Sequence, residues 1–201
     1  MIHNHSRAWW IGASDTRYVM GSWDTSSFQK WFAVKLGYGE NNYQNKQMSA
    51  GTAYEHRILS YIGVKKWDRQ IRKRRLRLRV NLDGEDRTTV YEVKTYGTDT
   101  FKLSTAYWQQ CQVERYATGK NVIVVAYRMT EAEYDNYFLP VDGARIQEFP
   151  VEYDEAFIYQ KYLPRLSVLA QCLKERRFPN ESEIARFSIR RSRKADSFPD
   201  A

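Results

Sequence analysis

The amino-acid sequence predicts an α/β (α+β) domain in which a small mixed central sheet is flanked by helices. Five segments show helical spacing or helix-capping residues, and four show the alternating or continuous apolar patterns of strands. The two kinds of segment are interspersed along 201 residues, a length that fits one domain. Hydrophobic residues make up 42% of the chain and aromatic residues 15%, which is enough to form a buried core.

The first part of the chain is predicted to form three helices, over residues 14–21, 26–37 and 49–63. Ser14 is placed to cap the first helix, and apolar residues recur at helical spacing along the second. A polar loop rich in Gly and Asn separates the second helix from the third. Glu55 lies in the interior of the third helix.

A strongly basic segment comes next. Residues 65–79 contain nine Lys or Arg and a single Asp. From residue 76 to residue 83 apolar and polar residues alternate strictly, which predicts a strand with one buried and one polar face. This spacing places Arg77 and Arg79 on the same face as Asp83, so that the positive charges and the carboxylate point the same way.

The segment DGEDR, residues 83–87, predicts a hairpin turn, and residues 88–97 predict the returning strand. Because side chains alternate along a strand, Glu92 and Lys94 share one of its faces. A solvated surface hairpin is compatible with this pattern, and so is the metal-binding centre of a nuclease.

The second half of the chain is predicted to contain a helix over 104–119, strands over 121–129 and 134–142, and a helical segment over 154–177 that breaks at Pro164. We expect a single domain over residues 1–185. The remaining residues, 186–201, are expected to form a basic, flexible tail.

Charge and composition restrict the function. The formal net charge of +8 and the isoelectric point of about 9.4 favour a polyanionic partner such as nucleic acid. No apolar run approaches the roughly 18–20 residues of a membrane helix, and no leader is evident, so the expected location is the cytoplasm. Two cysteines are too few for a four-cysteine iron–sulfur or zinc site, and a disulfide framework is not expected.

The acidic residues suggest metal-assisted hydrolysis of a phosphodiester. Mg²⁺ (or Mn²⁺) prefers carboxylate oxygens, and Asp83 and Glu92 on neighbouring antiparallel strands can converge on one ion. Lys94 emerges beside Glu92, where it can hold a water molecule and offset charge on the scissile phosphate. Glu55 on a packed helix is the candidate for a third carboxylate.

Several motifs occur in an order that resembles the PD-(D/E)XK nucleases. They are GTAYEHR with Glu55, NLDG with Asp83, YEVK with Glu92 and Lys94, and AYWQQCQVERYATGK with two glutamines. Within that superfamily the chain is most similar to the lambda exonuclease, or YqaJ-type viral recombinase, family. The opening RAWWIGAS is also similar to that family's N-terminal motif. The resemblance covers roughly residues 7–140.

The resemblance implies a restriction-endonuclease-like core and a set of site residues. The implied catalytic residues are Glu55, Asp83, Glu92 and Lys94 with Gln110 or Gln112, and the first three would be the metal ligands. Arg7 and Ser14 would bind a 5′-phosphate, and Arg77 and Arg79 supply further positive charge for DNA.

The favoured hypothesis is a metal-dependent 5′–3′ DNA exonuclease of phage or prophage recombination that acts on duplex ends. An endonuclease of the restriction or repair type on the same core is the alternative. The third hypothesis is a non-catalytic basic module that binds DNA. The family resemblance also leaves open an oligomer and a single-strand annealing protein as partners.

Overall fold

A computed structural model describes residues 8–39 and 45–187. Its centre is one mixed sheet of six strands in the order β1-β3-β4-β5-β6, with β2 paired to β3 as well. The strands are β1 (Ile11–Gly12), β2 (Lys66–Lys73), β3 (Leu78–Glu85), β4 (Thr89–Tyr96), β5 (Asn121–Arg128) and β6 (Ile146–Val151). The pairs β1–β3 and β4–β5 are parallel, and the other pairs are antiparallel.

Helices cover both faces of the sheet. They are α1 (Thr16–Met20), α2 (Ser26–Lys35), α3 (Lys46–Tyr61), α4 (Thr105–Thr118), α5 (Glu131–Asp135), α6 (Leu163–Glu175) and α7 (Glu181–Phe187). Short 3₁₀ turns occur at Ala13–Asp15, Arg74–Leu76 and Gly143–Arg145, and a π-helical segment, Phe157–Tyr162, leads directly into α6. The predicted α/β fold with a mixed central sheet flanked by helices is confirmed.

The core has two layers, one on each side of the sheet. On one side, α3 buries Tyr54 and Ile58 against Val93 and Val125. On the other side, a larger cluster joins α1, α2, α4 and α6 to the alternate residues of the strands, including Val90. Because side chains alternate along β4, Glu92 points towards the α4 side, as Val90 does.

Four predicted helices and two predicted strands are confirmed to within a few residues. The elements are those predicted over 14–21, 26–37, 49–63, 88–97, 104–119 and 121–129. The predicted break at Pro164 corresponds to the change from the π-helical segment to α6, where Pro164 occupies the first turn of α6. Proline has no backbone N–H to donate, and it lies at the junction where the hydrogen-bond pattern changes between the two helical segments.

The basic segment differs from its prediction. Lys66–Lys73 forms β2, a strand that was not predicted, and β3 begins at Leu78 rather than at residue 76. The polypeptide turns between β2 and β3 through a 3₁₀ turn, after which Arg77 adopts a left-handed conformation with φ 49°. The prediction that Arg77 shares a strand face with Asp83 is therefore wrong, because the alternation of β3 does not extend to Arg77.

Two further boundaries are corrected. The turn predicted over 83–87 lies at residues 86–88, where Asp86 accepts hydrogen bonds from the backbone N–H groups of Thr88 and Thr89. The strand predicted over 134–142 is wrong. A capping box between Thr130 and Glu133 starts α5 there instead, and the strand that pairs with β5 is β6.

The end of the described chain packs on the core. Arg186 and Phe187, which the prediction assigned to the tail, end α7, and the Phe187 ring lies 5.0 Å from that of Trp23. The rest of the predicted tail, 188–201, lies outside the described residues. No helix among the described residues is long and apolar enough to cross a membrane.

Candidate active site

The site forms at the edge of β3 that pairs with two different strands, β1 and β4. Along its first edge, β3 pairs with β2 from Leu78 to Leu82 and again at Gly84 and Glu85. On the other edge, β1 pairs with Leu78 and Arg79, and β4 pairs with Gly84 and Glu85. Residues 80–83 therefore have no strand partner on that edge within the described chain. Asp83 partly closes the gap, because its Oδ2 accepts a 2.9 Å hydrogen bond from the backbone N–H of Val93.

β3 also changes direction at Asp83. Leu82 belongs to the core on the α4 side, whereas a Cβ on Gly84 would collide with Leu59 of α3. In a regular strand, residues two apart face the same side. The reversal shows that the strand is kinked at Asp83. Opposite the kink on β2, Asp68 has a left-handed φ of 58°.

A buried hydrogen-bonded group surrounds Glu92. Its Oε1 accepts bonds from the Lys94 ammonium at 2.5 Å and from the Gln110 amide at 2.6 Å. The same amide group donates to Glu114 at 2.9 Å. Glu92 is 2% exposed and Glu114 is completely buried. α4 therefore supplies a second carboxylate and its bridging amide to the site.

The carboxylates are close enough to perturb one another. Burial, followed by repulsion from Glu92, raises the pKa of Glu55 to about 7. Burial, then Glu92 and then Glu55, raise the pKa of Asp83 well above its usual range. Burial would lower the pKa of Lys94, but Glu92 and Asp83 outweigh it, so that the pKa is raised. Lys94 is therefore a permanent cation among several acids.

The donor set fits a divalent cation. Within the described chain, Glu92 Oε2 and Glu114 Oε2 have no hydrogen-bond donor when both groups are ionised, whereas burial and the neighbouring Glu92 raise the pKa of Glu114 well above its usual range, so that a protonated Glu114 can donate to Glu92. A buried carboxylate oxygen without a partner is costly, and a hard cation satisfies it. The predicted ligands Glu92, Asp83 and Glu55 carry oxygens of the kind that such an ion prefers, and Glu114 hydrogen-bonds to the same Gln110 amide as Glu92.

A second group of ligands lies next to this cluster. One ligand atom each from Glu55, His56 and Asp68 lies within 4.8 Å of the others. Among the described residues, the ligand atoms of the predicted trio Glu55, Asp83 and Glu92 do not all come within this distance of one another. Glu92 Oε1 is bonded to Lys94 and Gln110, and Asp83 is bonded to the backbone.

A cleft of about 660 Å³ opens beside Lys94 and Gln110. Its opposite wall, from the 3₁₀ turn, α1 and α2, includes Ser14, Arg17 and Lys30. Ser14 is exposed and does not cap a helix, contrary to the prediction, because Gly12 and Asp15 occupy the cap positions. Its hydroxyl is consequently available to the cleft.

The acidic residue in that wall is neutralised. The Asp15 carboxylate accepts bonds from Lys35 at 2.6 Å, from the Gly12 backbone at 2.7 Å and from the Trp31 indole at 2.9 Å. Trp31 also stacks on Tyr18 with ring centroids 4.9 Å apart. The net charge that the wall presents to the cleft therefore comes from its unpaired basic side chains.

The remaining predicted site residues lie elsewhere. Gln112 binds the backbone of Glu152 and Asp154, and thus connects α4 to the segment after β6 rather than to Glu92. Arg77 and Arg79 lie towards the far end of β3, about 20 Å and about 13 Å from Asp83 respectively at 3.3 Å per residue. Arg7 lies outside the described residues.

The sequence reasoning missed Glu114. This residue follows Gln110 by four positions, so that the two side chains lie on the same face of α4. That spacing, with both residues on an otherwise apolar helix face, was the available signal. Arg17 and Lys30 were missed as well, since nothing local shows that α1 and α2 line one cleft with β4.

Comparison with known proteins supports the fold. No family model matches the chain, and no curated protein matches it. An alkaline exonuclease from Laribacter hongkongensis has a similar structure, with a TM-score of 0.62 and 19% identity over 90% of this chain and 92% of that one. The chain has the same fold as this solved structure. A phage-related exonuclease from Haemophilus somnus 129PT has this fold as well, with a TM-score of 0.56 and 15% identity over 89% of this chain and 96% of the other.

The fold that the predicted resemblance to the lambda exonuclease family implies is thus shared with two solved structures that are named exonucleases. The order and placement of the motifs agree with it, because β3, β4, α3 and α4 bring Asp83, Glu92, Glu55 and Gln110 to one place.

Proposed function

We propose that this protein is a divalent-metal-dependent deoxyribonuclease that hydrolyses phosphodiester bonds, and that it acts as a 5′–3′ exonuclease on duplex ends. The observation that carries the proposal is the buried Glu92–Lys94 pair, joined by Gln110 at the opening between β3 and β4. Two solved structures with this fold are exonucleases by name, which supports the same chemistry here.

The roles of the residues follow from their positions. Asp83, Glu92 and Glu55 would hold Mg²⁺ or Mn²⁺, which when bound polarises the phosphate and lowers the pKa of water. Lys94 would orient the attacking water and offset the negative charge that develops on the phosphate. Gln110 fixes the orientation of the Glu92 carboxylate, because its amide group reaches both Glu92 and Glu114.

The cleft supports an action on strand ends. Arg17, Lys30 and the Ser14 hydroxyl face Lys94 across a cleft of about 660 Å³, a volume that suits a terminal nucleotide with its phosphate. Charged donors and hydroxyl groups are the usual phosphate ligands. The polarity, the annealing-protein partner, an oligomer, a recombination role and the cytoplasmic location remain predictions from the sequence.

The test uses linear duplex DNA with either a 5′-phosphate or a 5′-hydroxyl, and covalently closed circular DNA, each with Mg²⁺, with Mn²⁺ or with a chelator. We expect metal-dependent loss of the 5′-phosphorylated linear duplex and no nicking of the circle. Replacing Lys94 with Ala should lower the rate by about 10²–10³-fold. The matched control is Lys102→Ala, since Lys102 is exposed and lies outside the site.

Equal, metal-independent degradation by the Lys94→Ala and Lys102→Ala proteins would reject the nuclease proposal. Nicking of the closed circle would instead show an endonuclease on the same core. A preference for 5′-phosphorylated ends that survives the double replacement of Arg17 and Lys30 by Ala would reject the proposed role of the cleft.

A further inference from the structure

A second pocket lies at the other end of β3. It has a volume of about 460 Å³ and is lined by Trp10, Arg72, Arg74, Arg77 and Lys174. These residues come from the segment before β1, from β2 and the 3₁₀ turn that follows it, and from α6. Four of the five lining residues are therefore cations, and none is acidic.

The positive charge of this pocket is not compensated by nearby acids. Among the described residues, no carboxylate forms an ion pair with any of these four cations. The acidic neighbour of Lys174, Glu175, bonds to Arg177 and Gln171 instead. Clustered cations without counter-charges repel one another, and a bound anion removes that repulsion.

Arg77 adds hydrogen-bonding capacity to the pocket. Its Nε atom is buried and has no partner in the described part of the chain. The residue is also held in a left-handed conformation, which non-glycine residues rarely adopt, while its carbonyl accepts a bond from Ile11. The fold thus fixes a guanidinium group whose Nε donor has no acceptor among residues 8–39 and 45–187.

An aromatic ring accompanies the charges. The Arg72 guanidinium lies 5.6 Å from the centre of the Trp10 ring, and its Nε donates to Gln70. Cationic grooves with interleaved aromatic rings are typical of sites for single-stranded nucleic acid, since the cations contact phosphates and the rings stack on bases. A pocket of this volume admits one nucleotide rather than a duplex.

A polar track connects the pocket to the candidate active site. Arg72 lies opposite Arg79, and Gln70 opposite Asn81, and the Gln70 amide donates to Asn81. The next step along the two strands reaches Asp83. The polar face of β2 and β3 therefore leads over about 20 Å from the pocket to the opening in the sheet.

We infer that the pocket formed by Trp10, Arg72, Arg74, Arg77 and Lys174 binds a nucleotide of single-stranded DNA, about 20 Å from the site of hydrolysis. If the proposed exonuclease function is correct, this strand is the one that remains when its complement has been degraded. The binding itself does not depend on that function, and it can be measured without cleavage.

The experiment measures binding of a labelled single strand of about 20 nucleotides, longer than one typical site, by fluorescence anisotropy of the full chain in a chelator. Arg74→Gln with Lys174→Gln removes two exposed charges from the pocket. We expect about tenfold weaker binding. The slope of log affinity against log salt should fall by about 1.4, or roughly 0.7 for each lost phosphate contact.

The matched control is Lys66→Gln with Arg87→Gln, which removes two exposed charges from the opposite end of the same strands. We expect a much smaller loss from this variant. Trp10→Leu should weaken single-strand binding by roughly tenfold through lost stacking, with circular dichroism to check that the fold is kept.

Three results would overturn the inference: unchanged affinity in the Arg74 and Lys174 variant, an equal loss in the control variant, or an equal loss for a duplex of the same length. Because no metal and no cleavage are involved, these results leave the nuclease proposal untouched. Conversely, an inactive enzyme that still shows the expected binding would reject the nuclease proposal alone.

Discussion

The metal-free protein should lose stability as the pH rises through the neutral range, and a Glu55→Gln variant isolates the contribution of Glu55 from those of Asp83 and Glu114, whose pKa values burial also raises. The pKa of Glu55 is raised to about 7 in the folded chain from an ordinary value of 4.5, and its side chain is only 27% exposed. Between these values the folded state holds a proton that the unfolded state has released. Stability therefore falls as the pH rises.

The magnitude follows from the size of the pKa difference. At about 1.4 kcal/mol per pKa unit, the rise from 4.5 to about 7 corresponds to a loss of about 3 kcal/mol between pH 4 and pH 8. The assay is urea denaturation of the wild-type and Glu55→Gln proteins in a chelator across this range. From pH 4 to pH 8, the unfolding free energy of the wild type should fall by about 3 kcal/mol relative to that of Glu55→Gln. The variant lacks this loss because Gln has no proton to release.

Divalent cations should act in the opposite direction. Since bound Mg²⁺ favours the ionised carboxylates, it should stabilise the wild-type protein more at pH 8 than at pH 5. A wild-type stability that stays level or rises relative to Glu55→Gln between pH 5 and pH 8 would refute the assignment of Glu55 to a shared acidic site.

Three further predictions concern the packing around the site. Gly84→Ala should destabilise the fold by about 1–3 kcal/mol, since the added Cβ would lie 2.7 Å from Leu59 Cδ2, and thermal unfolding measures this. Glu114→Gln should change the free energy of unfolding by less than about 1 kcal/mol, because Gln keeps an acceptor for Gln110. Glu114→Leu removes that acceptor and should cost about 1–3 kcal/mol. Equal effects of the two variants in urea denaturation would contradict this prediction. Gln112→Leu should lower the free energy of unfolding by about 2–4 kcal/mol, because it leaves two backbone groups unpaired. The cleavage rate per folded molecule should not change. A rate loss like that of Lys94→Ala would instead place Gln112 in the site.

Local patterns predicted most of the fold because most elements carry their own signal. The capped helix α4 and the alternating strand β4 are examples. β2 was missed since its residues are charged rather than alternating. It is an edge strand that pairs with β3 alone, and charged side chains on such strands discourage association with other chains. The segment over 134–142 has strand-forming residues, but the Thr130–Glu133 capping box determines its helical start.

The site could be predicted in part for the same reason. The relative placement of Glu92 and Lys94 depends only on the period of a strand. The choice between Gln110 and Gln112 could not be made locally, because residues two apart on a helix point in nearly opposite directions and only the packing of α4 decides which one faces Glu92. The unpaired stretch of β3 that ends at Asp83 likewise lies between β4 and β1, and β1 is some seventy positions earlier in the sequence.

The arrangement of β1 and β4 along β3 has a consequence for how this protein could change. While β1 pairs with the first residues of β3, β4 cannot pair with β3 along its full length. A variant without the β1 pairing would gain backbone hydrogen bonds between β3 and β4 and would therefore be more rigid. It would also close the opening beside Asp83, where the proposed metal ligands lie, so that a gain in stability would come at the cost of the proposed activity.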